Sequence, residues 1–146
     1  MTGLNRNKKP FAYCLYDDEV NLYDEYGNET GGKLLMYHEA AEMRANISPA
    51  TGQSNTEQFG TLDNYDKVIV TRDMNCPIDE HSVLFIDKEP EYTDVTSHKI
   101  QEGNALYADD EIVEVTYSQP KYNYIVKRVA KSLNSISIAV RKVEIG

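Results

Sequence analysis

Short apolar runs that alternate with polar residues recur along the chain, and they predict β-strands rather than helices. EMRANI (42–47) places apolar and polar residues at strictly alternate positions, as a strand with one buried face requires. DKVIVT (66–71) and SVLFID (82–87) each contain a short uninterrupted apolar run, which is typical of strands that are largely buried. The same reasoning predicts a strand at 9–16, a hairpin punctuated by glycines over 19–37, and a strand near 112–117.

Two further strands are predicted at the C-terminal end of the chain, joined by Ser132–Asn134. Residues 135–145 carry Ile136, Ile138 and Val140 on one face. Alternation along 122–132 predicts one face with Tyr122, Tyr124, Val126 and Arg128, and another with Ile125, Lys127 and Val129.

Two polar segments interrupt these strands. Residues 48–62 contain one charged residue, Glu57, and one aromatic residue, Phe59, although 27% of the chain is charged. Loops of this length are uncommon in compact domains and are usually functional or disordered. Residues 88–104 are polar and rich in turn formers, so we expect a solvated loop there and a variable loop region over 88–117.

The pattern therefore predicts an all-β fold: a small β-barrel with a long loop between strands and little helix. A chain of 146 residues is expected to form one domain. We expect a flexible basic arm over 1–9 and a single barrel domain over 10–146. No apolar run approaches the length of a membrane span, and the basic N-terminus lacks the apolar core of a secretory signal.

The net charge of −9 is unevenly distributed. Residues 10–120 carry 23 acidic and six basic residues, whereas residues 121–146 carry six basic residues and only Glu144. An acidic middle of this kind opposes tight binding to nucleic acid. The two cysteines, Cys14 and Cys76, lie beside apolar residues and are predicted to be buried free thiols.

Candidate chemistry is sparse, and we predict that the protein is not an enzyme and holds no cofactor. His38, His81 and His98 lie in polar contexts, with no motif that gathers a nucleophile and a base. Cys76 and His81 have the spacing of one zinc-ligand pair but no second pair accompanies them. The acidic clusters do not match calcium-loop spacing, and no glycine-rich phosphate loop is present. No catalytic, cofactor-binding or metal-binding residue is therefore predicted.

Two stretches carry a resemblance to a known family. They are MRANISPATGQSNTEQFGTLDNYDKVIVTRDMNCPIDEHSVLFIDKEP (43–90) and YNYIVKRVAKSLNSISIAVRKV (122–143). Together they resemble the head-closure proteins (head–tail connectors, or stoppers) of long-tailed bacteriophages, over roughly residues 9–146. The resemblance rests on similarity over long stretches of sequence and not on a short catalytic motif.

The resemblance implies a structural virion protein of the phage neck, made in the host bacterial cytoplasm. Such proteins are small β-barrels that form a ring, with twelve copies when assembled. The ring lies below the portal and adaptor proteins and above a tail terminator or tail-completion protein. Packaged DNA passes through it or rests on it without sequence-specific binding, and no membrane is involved.

The resemblance also implies a channel-gating loop, because in related stoppers a long loop projects into the channel and helps to close it. Carried over by position, that loop comprises Ile47, Ser48, Pro49, Ala50, Thr51, Gly52, Gln53, Ser54, Asn55, Thr56, Glu57, Gln58, Phe59 and Gly60.

A ring uses two different faces of each subunit, and the uneven charge suggests which they are. We expect a basic C-terminal surface to meet an acidic flank of a neighbour or of the adaptor. The basic residues are Lys127, Arg128, Lys131, Arg141 and Lys142, and the acidic residues are Asp17, Asp18 and Glu19.

Other functions stay open at this point. Within the same setting, the chain could be an adaptor or a tail terminator. Outside it, the chain could be a small ligand-binding β-barrel, which predicts a pocket lined by aromatic residues and a stable monomer. An acidic inhibitor that mimics DNA is a third alternative, suggested by the charge of residues 10–120.

Overall fold

The computed structural model describes residues 8–49, 65–103, 106 and 109–144. Within these ranges the chain forms ten β-strands and no helix, which confirms the predicted all-β fold. The strands are β1 (Lys8–Cys14), β2 (Tyr16–Tyr23), β3 (Glu29–Tyr37), β4 (Ala41–Pro49), β5 (Lys67–Thr71), β6 (Val83–Phe85), β7 (Tyr92–Gln101), β8 (Glu111–Pro120), β9 (Tyr124–Lys131) and β10 (Ile136–Lys142).

Six of the strands close into an antiparallel barrel in the order β1-β4-β5-β10-β9-β6, with β6 pairing back to β1. The register brings apolar residues together across neighbouring strands, since Ile69 of β5 lies opposite Ile47 of β4 and opposite Ile138 of β10. Closure leaves no open sheet edge in the barrel.

The interior of the barrel is filled by side chains from every strand. Ile136, Ile138 and Val140 of β10 all lie in this core, as their alternation predicted. They pack with a shared set of buried residues: Phe11, Ala45, Ile69, Cys76, Ile78, Leu84, Ile86, Tyr124 and Val126. Cys14 and Cys76 are both buried and free, which confirms their predicted state.

The chain divides into two compact units, and the barrel belongs to the first of them. That unit comprises Met1–Tyr16, His38–Glu91 and Lys121–Gly146. The second unit comprises Asp17–Tyr37 and Tyr92–Pro120, and therefore contains two hairpins, β2–β3 and β7–β8. The first hairpin confirms the prediction over 19–37, whereas a second compact unit was not expected from the sequence.

The hairpins of the second unit are joined by polar contacts with the backbone. Ser97 Oγ accepts a hydrogen bond from the Tyr23 N–H at 2.9 Å, and Gln119 Nε2 donates to the Leu35 carbonyl. Asp24 shapes the β2–β3 turn, since its Oδ1 accepts from the N–H groups of Tyr26 and Asn28 at 2.9 Å each.

The prediction of a solvated loop over 88–104 is wrong for residues 92–101, which form β7 and pair along their length with β8. The strand was missed because its fully buried position is a serine, Ser97, so the apolar alternation that marks a strand is weak. The strand predicted near 112–117 is confirmed as part of β8.

The predicted faces of β9 are correct only for its first half. Val140 lies opposite Val126 while the preceding Ala139 lies opposite Arg128, so Lys127 is an extra residue in the ladder. Such a bulge reverses the alternation that follows it. As a result Arg128 is exposed, whereas Val129 packs against the core.

Candidate functional site

The candidate site is the end of the barrel where β4 ends and β5 begins, because the predicted gating loop falls between these two strands in the sequence. Ser48 lies opposite Val68 and Pro49 lies opposite Lys67. Ile47, Ser48 and Pro49 are thus paired residues of β4, which corrects the predicted start of the gating loop. The remaining loop residues, from Ala50 to Gly60, lie outside the described part of the chain.

Asp66 fixes the rim of the barrel at this end. Its N–H donates to the Val140 carbonyl at 2.8 Å, and its Oδ2 accepts from the Lys142 N–H at 2.7 Å. One residue therefore ties the start of β5 to the end of β10. The start of β5 is consequently held at a defined position on the barrel.

Asn123 performs a similar role between β6 and β9, where the ladder is short. Its side-chain oxygen accepts from the Ile86 N–H at 3.0 Å, and its Nδ2 donates to the Ile86 carbonyl at 2.8 Å. Its own N–H donates to the Leu84 carbonyl, and its carbonyl accepts from the Val143 N–H. Sequence analysis assigned no role to Asn123, since an amide before a strand carries no distinctive pattern.

Basic residues collect at the ends of strands around this rim. The antiparallel register places Lys8 of β1, Lys67 of β5 and Lys142 of β10 at the same end of the barrel, next to Arg141. The Tyr124 side chain lies within the same end of the core. Burial, followed by the carboxylates of Asp66 and Asp87, raises the pKa of its phenol above the ordinary value.

The predicted interface residues do not form one cluster. Arg141 and Lys142 lie at the β4–β5 end, Lys127 and Arg128 lie at the bulge, and Lys131 lies opposite Ile136 at the other end. All five side chains are exposed. The acidic residues Asp17, Asp18 and Glu19 are exposed on β2, which pairs within the second unit, and Glu19 forms a 3.1 Å ion pair with Lys33.

One cavity of about 580 Å³ lies beside β1, β4 and the segment that follows β6. Pro10, Phe11, Phe85 and Pro90 supply its apolar walls, and charged residues such as Lys9, Glu42 and Lys88 surround them. The cavity combines a small apolar surface with charges of both signs.

The opposite end of the barrel contains the Cys76 thiol, whose Sγ lies 3.9 Å from Met43 Sδ. Burial is the main cause that raises the pKa of this thiol. Over the described ranges, no group of three His, Cys, Asp or Glu side chains is arranged to hold a metal ion. In the same ranges there is no helix with the length and hydropathy needed to cross a membrane.

Comparison of the chain with protein-family models, with curated proteins and with solved structures found no match in any of the three.

Proposed function

We propose that this protein is a head-closure subunit of a long-tailed bacteriophage: a non-enzymatic ring protein of the neck that closes the DNA-filled capsid and receives the tail. The closed six-stranded barrel supports this proposal, because the resemblance of residues 43–90 and 122–143 implies such a barrel. In this proposal the ring contains twelve copies below the portal and adaptor.

The observation that carries the proposal is the length of the connection between β4 and β5. These strands are antiparallel neighbours in the barrel, and neighbours of this kind need only about two to five connecting residues. The chain instead places residues 50–66 between Pro49 and Lys67. Since the topology does not require this length, we assign it to function.

The composition of that connection fits a channel. Copies around one axis multiply any charge, and like charges repel. Clustered positive charge would also hold DNA through its phosphates. Residues 48–62, which supply most of this connection, are rich in Ser, Thr, Asn and Gln and carry one charged residue, Glu57. They therefore limit both effects while keeping groups that hydrogen-bond between neighbours.

Binding to the portal–adaptor assembly of the same genome tests the proposal. Light scattering or native mass spectrometry follows the mass of the complex with and without that assembly. We expect a stoichiometric ring on the assembly. Absence of binding, with the chain remaining a rigid monomer, would contradict the head-closure role.

A second experiment tests the gating role of the connection separately. Deletion of Thr51–Gln58 is expected to leave ring formation intact while DNA leaks from filled heads. The matched control replaces the same residues by a Gly-Ser segment of equal length, which separates loss of length from loss of sequence. Full DNA retention by the deletion variant would exclude gating by these residues.

The cavity supports one alternative, a small ligand-binding barrel. Its volume of about 580 Å³ falls within the range of about 300–1,000 Å³ that ligand pockets occupy, and Phe11 and Phe85 line it. This alternative predicts a monomer that does not bind the portal–adaptor assembly, so the first experiment distinguishes it from head closure.

A further inference from the structure

Three lysines face inward at the end of the barrel where β4 ends and β5 begins: Lys9 of β1, Lys67 of β5 and Lys142 of β10. Each lies directly opposite a residue of the barrel core, and these partners are Ala45, Val140 and Tyr124, respectively. Paired residues of an antiparallel ladder project from the same face of the sheet. Each lysine therefore continues the inward face of its strand at the barrel opening. We call these three residues the mouth lysines.

The mouth lysines are distributed around the opening. β1 and β10 are three places apart in the closed ring of six strands, so Lys9 and Lys142 lie on opposite sides of it, and β5 lies between them. Lys9 and Lys142 are exposed, and Lys67 is half-buried. A barrel of six strands is narrow, because the diameter grows with the number of strands. The three long side chains can therefore reach one ligand at the opening.

The charges of the mouth lysines are not neutralised within the described ranges. No ion pair there joins any of them to a carboxylate. Asp66 and Asp87 lie at the same end, where, after burial, their charges raise the pKa of the Tyr124 phenol. Three ammonium groups around a narrow opening repel one another. A ligand with several negative charges relieves this repulsion, whereas a single carboxylate would leave two lysines without a partner.

The charge of the second unit disfavours anion binding elsewhere on the molecule. That unit contains twelve acidic and two basic residues, a net charge of −10. The barrel unit contains twelve acidic and thirteen basic residues, a net charge of +1. A polyanion is therefore repelled by the second unit. Binding to this chain requires a local group of cations, and the barrel mouth provides one.

Phosphate groups are the ligand chemistry that fits three lysines. Lysine binds phosphate as a compact point charge on a flexible stem, so it does not require one fixed geometry. Phosphates joined in a chain, as in nucleic acid, bring further negative charges at short spacing. A row of phosphates therefore supplies a partner for each ammonium group around the opening.

We propose that the mouth lysines form a binding site for a row of phosphate groups, from the backbone of DNA or from a free polyphosphate. The site reads no base sequence, because contacts with phosphates carry no sequence information directly. It is a property of the single barrel and goes beyond the proposed ring role, in which DNA of the filled head is the source of phosphate. Three contacts give a hold that salt weakens strongly.

The salt dependence of DNA binding tests the site. Fluorescence anisotropy of a short labelled duplex follows binding to the purified full chain at several salt concentrations. For the natural sequence we expect the logarithm of the binding constant to fall against the logarithm of salt with a slope of about −3, since each phosphate contact contributes about −0.9. Lys9→Gln, Lys67→Gln and Lys142→Gln are each expected to reduce the slope by about 1. The triple variant is expected to bind at least about tenfold more weakly.

Lys131→Gln is the matched control. Lys131 is exposed and lies opposite the core residue Ile136, so it also faces inward, but at the other end of the barrel. This variant is expected to bind like the natural sequence. Replacing all three mouth lysines by Arg keeps their charges and is expected to preserve the slope. Circular dichroism of each variant verifies that it is folded.

Calorimetric titration identifies the source of the phosphate. Tighter binding of inorganic tripolyphosphate than of the duplex, at equal phosphate concentration, assigns the site to free polyphosphates. Tighter binding of the duplex assigns it to the DNA backbone, and both results support the site. Poly-glutamate is the comparison ligand, since it carries negative charge without phosphate.

The inference is overturned if neither the duplex nor tripolyphosphate binds the natural sequence at low salt, or if the folded triple Gln variant keeps the full slope. It is also overturned if poly-glutamate binds as tightly as the phosphate ligands. None of these results affects the head-closure role, which is tested by binding to the portal–adaptor assembly. Phosphate binding by a chain that does not bind that assembly supports the site and contradicts the role.

Discussion

At the scale of single residues, Asn123 replaces part of a sheet ladder with its side chain. Substitution by Ala leaves both the Ile86 N–H and the Ile86 carbonyl without their present partner. An unsatisfied group in a partly buried position costs about 1–3 kcal/mol. We expect Asn123→Ala to lower the free energy of unfolding by about that amount, measured by urea denaturation.

Asn123→Asp provides a sharper comparison at the same position. The carboxylate still accepts from the Ile86 N–H but places a negative charge against the Ile86 carbonyl. We expect the Asp variant to recover stability at acidic pH, where the protonated carboxyl can donate. Equal stability of the Asp variant at pH 4 and pH 7, relative to the natural sequence, would argue against the paired hydrogen bonds.

The raised pKa of Tyr124 links stability to pH at the alkaline end. The folded protein holds the phenol proton more tightly than the unfolded chain does, so this contribution is fully present below a pH of about 10 and is lost as pH rises through the folded-state pKa. We expect Tyr124→Phe to reduce the loss of stability between pH 9 and pH 11, measured by urea unfolding. Parallel pH curves for the two proteins would contradict this expectation.

At the scale of elements, two glycines with the same backbone conformation separate strain from packing. Gly27 and Gly31 have φ of +83° and +84°, but a Cβ at Gly27 would lie 3.2 Å from Ile112 Cδ1, whereas one at Gly31 would meet nothing within 4 Å. We expect both Ala variants to lose about 1–2 kcal/mol from the positive φ. Gly27→Ala should lose more stability than Gly31→Ala, as measured by thermal unfolding. Equal losses would show that the close approach of residue 27 to Ile112 contributes nothing.

The strands also show which parts of the fold the sequence could predict and which it could not. The barrel strands were predictable because their buried residues are apolar and recur at alternate positions, as in Ile136, Ile138 and Val140. Strand β7 was not, since its buried residue, Ser97, is polar and its partner is the backbone of Tyr23. The bulge at Lys127 was equally invisible, because an extra residue changes pairing without changing composition.

The candidate site was predictable in outline only. The unusual composition of residues 48–62 is visible in the sequence, but the hydrogen bonds that fix this end of the barrel come from Asp66 and Asn123. Their roles follow from hydrogen bonds to residues distant in the chain, such as Lys142 and Ile86. No local pattern encodes contacts of this kind.

At the scale of the whole molecule, the two units are expected to differ in local stability. Regions with few buried apolar contacts open more often and exchange amide hydrogens faster. We therefore expect the amides of β7 and β8 to exchange faster than those of β9 and β10, measured by hydrogen–deuterium exchange of the monomer. Among the described residues of the second unit, only Ser97 and Pro120 are buried. Equal protection of the two hairpins would contradict the lower stability expected from this limited burial.

The strand order of the barrel has a kinetic consequence. Hairpins β2–β3, β7–β8 and β9–β10 join neighbours in the chain, whereas closure requires β1 to pair with β6 and β5 to pair with β10. Local hairpins form in about 1–10 μs, but β proteins that depend on distant pairings fold in about milliseconds to seconds. Newly made chains thus expose their hairpins before the barrel closes, and the acidic residues of β2–β3 and β7–β8 would keep such chains apart through mutual repulsion.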